Sequence, residues 1–191
     1  MPVWQWISIA AVTVIVVAAV IIAVVSLSGR KRTDRLKEHY GPEYEHMVSE
    51  TGDRKAAEKE LTARGRNRDK LDIVALSPSA LTRFTNRWQQ VQAAFVDDPA
   101  NALGAADHLV NEVMRERGYP VDHFEQREAD ISVDHPEIVQ NYRAAHSIHL
   151  SQMNGGVDTE KQREAFVHYR ALFERLLETK KDNDTSQEAT A

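Results

Sequence analysis

The stretch ISIAAVTVIVVAAVIIAVVSL, residues 7–27, decides how the chain is organised. None of its side chains is ionisable, and its 21 residues would span roughly 30 Å as a helix, the thickness of the hydrocarbon core of a bilayer. A helix satisfies its own backbone hydrogen bonds within one segment, as an apolar medium requires. We therefore predict a transmembrane helix over residues 7–29, preceded by a short extracytoplasmic segment, residues 1–6.

The residues on either side of this stretch predict its orientation. Trp4 and Trp6 precede it at the level where an aromatic belt meets the head groups. Arg30, Lys31 and Arg32 follow it directly, whereas no Lys or Arg precedes it. The positive-inside rule then places the amino terminus outside and the carboxyl-terminal domain in the cytoplasm. A cleaved signal peptide is disfavoured because the basic leading region is missing and the apolar run is long.

Composition limits the rest of the chain. The 191 residues carry a net charge of −5 and leave room for one anchor and one modest domain. The chain contains no cysteine, which excludes disulfides, thiol catalysis and Cys-type zinc sites. The membrane-proximal part is nevertheless basic. We interpret these cations as the topology signal, with contact to anionic lipid head groups as the alternative.

Residues 30–76 predict a basic juxtamembrane segment and a charged helical stalk. The pair Gly41-Pro42 should break the first helix. Asp53 is a candidate cap for a second, which runs to about residue 69 with little apolar content and should be solvated on all sides. No aromatic side chain is interleaved with its cations for base stacking, so we expect no nucleic-acid partner. Residues 70–76 should be extended or a linker.

Residues 77–178 predict a bundle of roughly four helices. The first follows the cap Ser77-Pro78 and carries one apolar face at steps of three and four. The second should end at the C-cap Gly118, a third should open at residues 134–136, and the last should follow a capping box of Thr159 and Gln162. The apolar face of the first helix comprises Leu81, Phe84, Trp88, Val91 and Phe95. With a disordered tail at residues 179–191, the predicted fold class is all-α.

Two histidines in the bundle are the candidate metal ligands. His146 and His149 are three residues apart and share a helix face. A metal site needs further ligands, which Asp107, His108 or Glu164 would have to supply from another helix. We expect instead a pair of partly buried or exposed histidines, with no metal and no cofactor. Motifs for phosphate binding, zinc proteolysis and serine hydrolysis are absent from the sequence, so we expect no enzyme.

Several segments together resemble a group of uncharacterised bacterial membrane-anchored proteins with a small helical domain. These segments are GPEY at 41–44, FVDDP at 95–99, ADHLV at 106–110, VMRERGYP at 113–120, FEQREADISVDHP at 124–136, YRAAH at 142–146 and VHYRALFE at 167–174. The resemblance covers nearly the whole chain after the anchor. It implies a bacterial origin and the same layout of anchor, charged helix and single domain. It implies no activity and no catalytic residue.

The sequence thus favours a single-pass membrane protein that presents a helical interaction or adaptor domain at the membrane face. Its partners would be the lipid bilayer and an unknown protein. That protein could be a second copy of the chain, because Ala19 and Ala23 form a small-xxx-small pair. The alternative hypothesis is a small metal-binding or hydrolytic domain that uses His146, His149 and nearby carboxylates.

Overall fold

The computed structural model describes residues 30–178, and every regular element in that range is an α-helix. The predicted all-α class is therefore confirmed for this part of the chain. The predicted extracytoplasmic segment, transmembrane helix and tail, residues 1–6, 7–29 and 179–191, lie outside the described residues. Within residues 30–178, no helix combines the length and the apolar character needed to cross a membrane.

The chain divides between His39 and Tyr40 into two compact units. Residues 30–40 are helical and are called α1, and the side chains of Arg30, Lys31 and Arg32 are exposed on it. Seven further helices follow within the second unit. They are α2 (Pro42–Thr51), α3 (Arg54–Arg68), α4 (Pro78–Ala94), α5 (Pro99–Arg117), α6 (Phe124–Asp134), α7 (Val139–Gly155) and α8 (Thr159–Leu177).

Local capping explains most of the helix boundaries. The side chains of Asp53, Ser77 and Asp98 each accept a hydrogen bond from a backbone N–H in the first turn of the following helix, and the sequence predicts the first two of these caps. At α8 the capping side chain is Asp158 rather than the predicted Thr159, because the carboxylate one residue earlier accepts from the backbone N–H of Lys161. These caps satisfy backbone donors that the helices cannot satisfy internally.

Gly118 ends α5 and also sets the path of the loop that precedes α4. Its φ of 96° lies in the left-handed region, where glycine has no steric penalty. A Cβ at this position would lie 2.4 Å from the carbonyl oxygen of Asp72. The loop can therefore pass directly over the end of α5, where the backbone N–H of Val74 donates to the carbonyl of Arg117 at 2.9 Å.

The main apolar core lies among α4, α5, α7 and α8. Helix α8 packs against α5 and α7, and α4 packs against α5. The ring of Trp88 on α4 stacks between two rings of α8, with centroids 4.7 Å from Phe173 and 5.1 Å from Phe166. The predicted helical bundle is therefore present, and the apolar stripe of α4 faces it.

The segment predicted to be a solvated stalk is folded onto this bundle. Helices α2 and α3 pack against each other, and α3 packs against α6. Ala57 and Leu61 of α3 are fully buried, and Tyr40 donates from its hydroxyl to the carbonyl of Leu61 at 2.8 Å. The sequence predicts a solvated helix because α3 has few apolar residues, and it buries only two of them. The rest of its inward face is formed by two arginines, Arg64 and Arg68.

Replacing Leu61 with Ala tests this packing. Leu61 is fully buried, so Leu61→Ala should lower the free energy of unfolding of the full-length protein by about 2–5 kcal/mol. Lys59→Ala, at an exposed position of the same helix, is the matched control and should change it little. Urea unfolding followed by circular dichroism measures both. Equal stability of the two variants would show that α3 is solvated, as the sequence suggests.

Candidate functional site

A fully buried carboxylate lies where the α2–α3 pair meets the bundle. The side chain of Glu43, in the first turn of α2, has no solvent-exposed surface. Two nitrogens of the Arg143 guanidinium on α7 donate to its two oxygens, at 2.7 and 2.6 Å. This paired, charge-assisted geometry is among the strongest hydrogen-bonded arrangements available to a carboxylate.

Side chains from four further positions complete this arrangement. The amide nitrogen of Gln140 on α7 donates to Glu43 at 3.3 Å. Arg64 of α3 donates to Glu43 at 3.4 Å and to the hydroxyl of Ser132 on α6 at 3.2 Å. Arg143 also donates to Glu128 of α6 at 2.7 Å. We call Glu43, Arg64, Glu128, Ser132, Gln140 and Arg143 the Glu43 cluster.

The backbone at the start of α2 determines the position of Glu43. Gly41 has a φ of 48°, in the left-handed region that glycine adopts without a steric penalty, and Pro42 occupies the first turn of α2 without losing a backbone hydrogen bond. Glu43 then lies at the positive end of the α2 dipole, which favours a negative charge. Burial disfavours the charged form of Arg143, but hydrogen bonds from Arg143 to Glu43 and Glu128 outweigh it and raise the Arg143 pKa. Arg143 therefore stays charged at any pH the folded protein meets.

A second polar contact joins the end of α3 to the end of α6. The Nε of Arg68 donates to one oxygen of Asp134 at 2.6 Å, and the hydroxyl of Tyr119 donates to the other at 2.5 Å. Asp134 was predicted to open a helix together with residues 135 and 136. Instead it ends α6, and α7 begins at Val139. Both oxygens of Asp134 accept from Arg68 and Tyr119, and no side chain caps α7.

Next to this contact lies a buried histidine beside a small cavity. His135 is 7% exposed, and neither ring nitrogen has a hydrogen-bond partner among residues 30–178. The cavity of about 180 Å³ is lined by residues 73–75 of the loop and by Arg68, Arg117, Asp134 and His135. Burial, together with the charges of Arg117 and Arg175, lowers the pKa of His135 to about 4. The imidazole is therefore neutral at physiological pH.

The two histidines predicted as candidate metal ligands lie elsewhere, on α7. The ring of His146 stacks on Phe124 with centroids 3.7 Å apart, and His149 lies near Gly104 of α5. Burial lowers the His146 pKa, which the charge of Asp107 partly offsets. Among residues 30–178, no three histidine, aspartate or glutamate side chains group closely enough to hold a metal ion. Asp107 instead accepts from Tyr169 at 2.8 Å and from Asn111 at 3.0 Å.

Sequence patterns did not reveal the Glu43 cluster. Glu43 and Arg143 are 100 positions apart in the chain, so no local spacing relates them. The available signal was indirect. Arg143 follows Tyr142 directly on a helix with a narrow apolar stripe, and Glu43 follows a Gly-Pro break. Neither feature distinguishes a buried charge from an exposed one.

A double-mutant cycle at Glu43 and Arg143 tests whether the cluster holds α2 to α7. Glu43→Gln leaves buried guanidinium groups undercompensated and should cost about 3 kcal/mol of stability in urea unfolding of the full-length protein. Arg143→Met should cost a similar amount, and the double variant should cost clearly less than the sum. Glu160→Gln, which removes an exposed pair with Arg163 on α8, is the control and should have a small effect. Strictly additive losses would show that the two side chains are not coupled.

His135 should make stability depend on pH. Folding lowers the His135 pKa from 6.5 to about 4. Between these two pH values, His135 is therefore protonated in the unfolded chain and neutral in the folded one. Stability should therefore fall as pH drops from 6.5 towards 4, by about 3 kcal/mol in total. In His135→Gln this part of the pH dependence should vanish, whereas His123→Gln, at an exposed position, should retain it. Parallel pH profiles for the His135 variant and the wild type would contradict this assignment.

No protein-family model, curated protein or solved structure matches the chain. The geometry of the site is therefore the basis for a functional proposal.

Proposed function

We propose that the chain is a single-pass protein of the bacterial inner membrane that presents its helical domain to a protein partner at the cytoplasmic face. Membership of the uncharacterised bacterial group that it resembles is part of the same proposal. The anchor would be residues 7–29, oriented by the basic residues that follow. A non-enzymatic adaptor fits the domain, because the side chains of the Glu43 cluster bind one another rather than line an open cleft.

The observation that carries this proposal is the burial of Glu43. The folded unit begins at Tyr40, about ten residues after the proposed anchor, and its first helix is fixed to α7 by the Glu43–Arg143 pair. A domain tethered by a flexible linker would need no such attachment. Fixing the first helix to the bundle gives any docking surface of the domain a defined relation to the point where the chain enters it.

The alternative, a metal-binding or hydrolytic domain that uses His146 and His149, receives no such support. Among residues 30–178, no three histidine, aspartate or glutamate side chains group closely enough to hold a metal ion, and Asp107 accepts hydrogen bonds from Tyr169 and Asn111. We therefore propose the interaction domain alone.

Reporter fusions and crosslinking test the proposal together. The full-length protein should sediment with membranes, and a fluorescent protein fused after Leu177 should be active inside the cell, whereas a phosphatase fused there should be inactive. Crosslinking in the native membrane, followed by mass spectrometry, should recover one partner reproducibly or a second copy. Glu43→Gln should reduce the yield of that crosslink, and Glu160→Gln should not.

Two results would contradict the proposal. One is an active phosphatase fusion, or a full-length chain that remains in solution after membranes are removed. The other is a crosslinking experiment in native membranes that recovers neither a partner nor a dimer.

A further inference from the structure

Helix α3 divides its basic residues between two opposite sides. At 3.6 residues per turn, its buried face, Ala57, Leu61, Arg64 and Arg68, occupies about 60° of the helix circumference. Lys55, Lys59 and Arg66 lie within about 40° of one another on the opposite side, and all three are exposed. Lys70, also exposed, lies in the turn directly after the helix. We call these four residues the basic stripe.

Two acids of α3 that lie beside the basic stripe, Glu58 and Glu60, form ion pairs with arginines outside it. Glu58 accepts from the hydroxyl of Tyr44 at 3.0 Å and lies 3.8 Å from the guanidinium of Arg54. Glu60 pairs with Arg64 at 3.3 Å. Among the described residues, no carboxylate forms an ion pair with a member of the stripe, and Lys70 donates to the amide oxygen of Asn67. From Lys55 to Arg66 the stripe therefore runs about 17 Å as an uncompensated row of cations.

The basic residues of α3 thus have two different roles in the structure, which the sequence does not distinguish. Arg64 and Arg68 neutralise carboxylates inside the fold, so they are not available to an external ligand. The stripe has no such internal role, and α3 follows the proposed anchor by about 25 residues. The packing of α3 on α6 holds the stripe on the outside of the domain.

We propose that the basic stripe binds the anionic head groups of the membrane in which the chain is anchored. This inference rests on the proposed membrane anchorage and adds a second membrane contact to it. The ligand is a lipid surface rather than a nucleic acid, since the stripe contains no aromatic residue to stack on a base. Anionic lipids of the cytoplasmic leaflet attract lysine and arginine held near the surface.

Lysine labelling in proteoliposomes tests the inference on the full-length protein. The chain is inserted into vesicles of phosphatidylcholine alone, or of phosphatidylcholine with phosphatidylglycerol, and treated with a membrane-impermeant amine reagent. Lys55, Lys59 and Lys70 should react about fivefold more slowly in the anionic vesicles. Lys161 on α8 should react equally in both. About 0.5 M salt, where the Debye length is about 4 Å, should remove the difference.

A pair of charge-matched variants distinguishes an effect of the basic stripe from an effect of the protein's net charge. In K55Q/K59Q/R66Q, the protection of Lys70 by anionic vesicles should be lost. In K161Q/R163Q/R170Q, which removes the same number of exposed cations from α8, it should persist. Both variants change only exposed side chains, and both should unfold at the same urea concentration as the wild type.

The possible failures are distinguishable. A chain that does not co-sediment with either vesicle overturns the anchor and this inference together. An inserted chain whose lysines react equally in both vesicles, or whose Lys70 is protected only by added DNA, overturns this inference alone. Protection that persists in high salt would also overturn it, because the attraction would not be electrostatic.

Discussion

The attachment of α2 and α3 to the rest of the domain depends on one carboxylate removed from water. Transfer of an unpaired carboxylate into the protein interior costs several kcal/mol even after relaxation. Two close hydrogen bonds from Arg143 and longer ones from Gln140 and Arg64 offset this cost at Glu43. Replacement of a buried ion pair by apolar residues of similar volume is often neutral or stabilising. What the paired hydrogen bonds add here is direction, because each oxygen of Glu43 faces one nitrogen of Arg143.

This constraint explains why α3 can be so polar and still be folded. Its mean hydropathy is low, and Ala57 and Leu61 supply its buried apolar surface. Arg64 and Arg68 continue the same side of the helix and end in ion pairs with Glu43 and Asp134. Inward-facing charges leave the outward side free to carry a different charge pattern. Both sides of α3 therefore carry basic residues, but only the cations on the inward side are paired with carboxylates.

The helices and their caps could be predicted from the sequence, whereas the placement of the charges could not. Periodic apolar residues such as Phe84 and Trp88 identify α4, and Ser77, Asp98 and Gly118 mark boundaries through local backbone chemistry. Leu61 lies on a helix with too few apolar residues to predict burial, so α3 resembles a solvated stalk. Glu43 and Arg143 meet only through tertiary structure. His135 is similar, since its burial results from the turn after α6 and from the packing of neighbouring arginines.

The separation of Glu43 from Arg143 in the chain has a consequence for biosynthesis. At 5–20 residues per second, a ribosome needs about 5–20 s to add the residues between them. During that interval the newly made amino-terminal helices lack the guanidinium that later compensates Glu43, and water must solvate the carboxylate instead. Helices α2 and α3 can therefore reach their final position only after α7 has emerged. The first helices of the domain are therefore made early, but the contact that fixes them to the bundle forms only once α7 has been made.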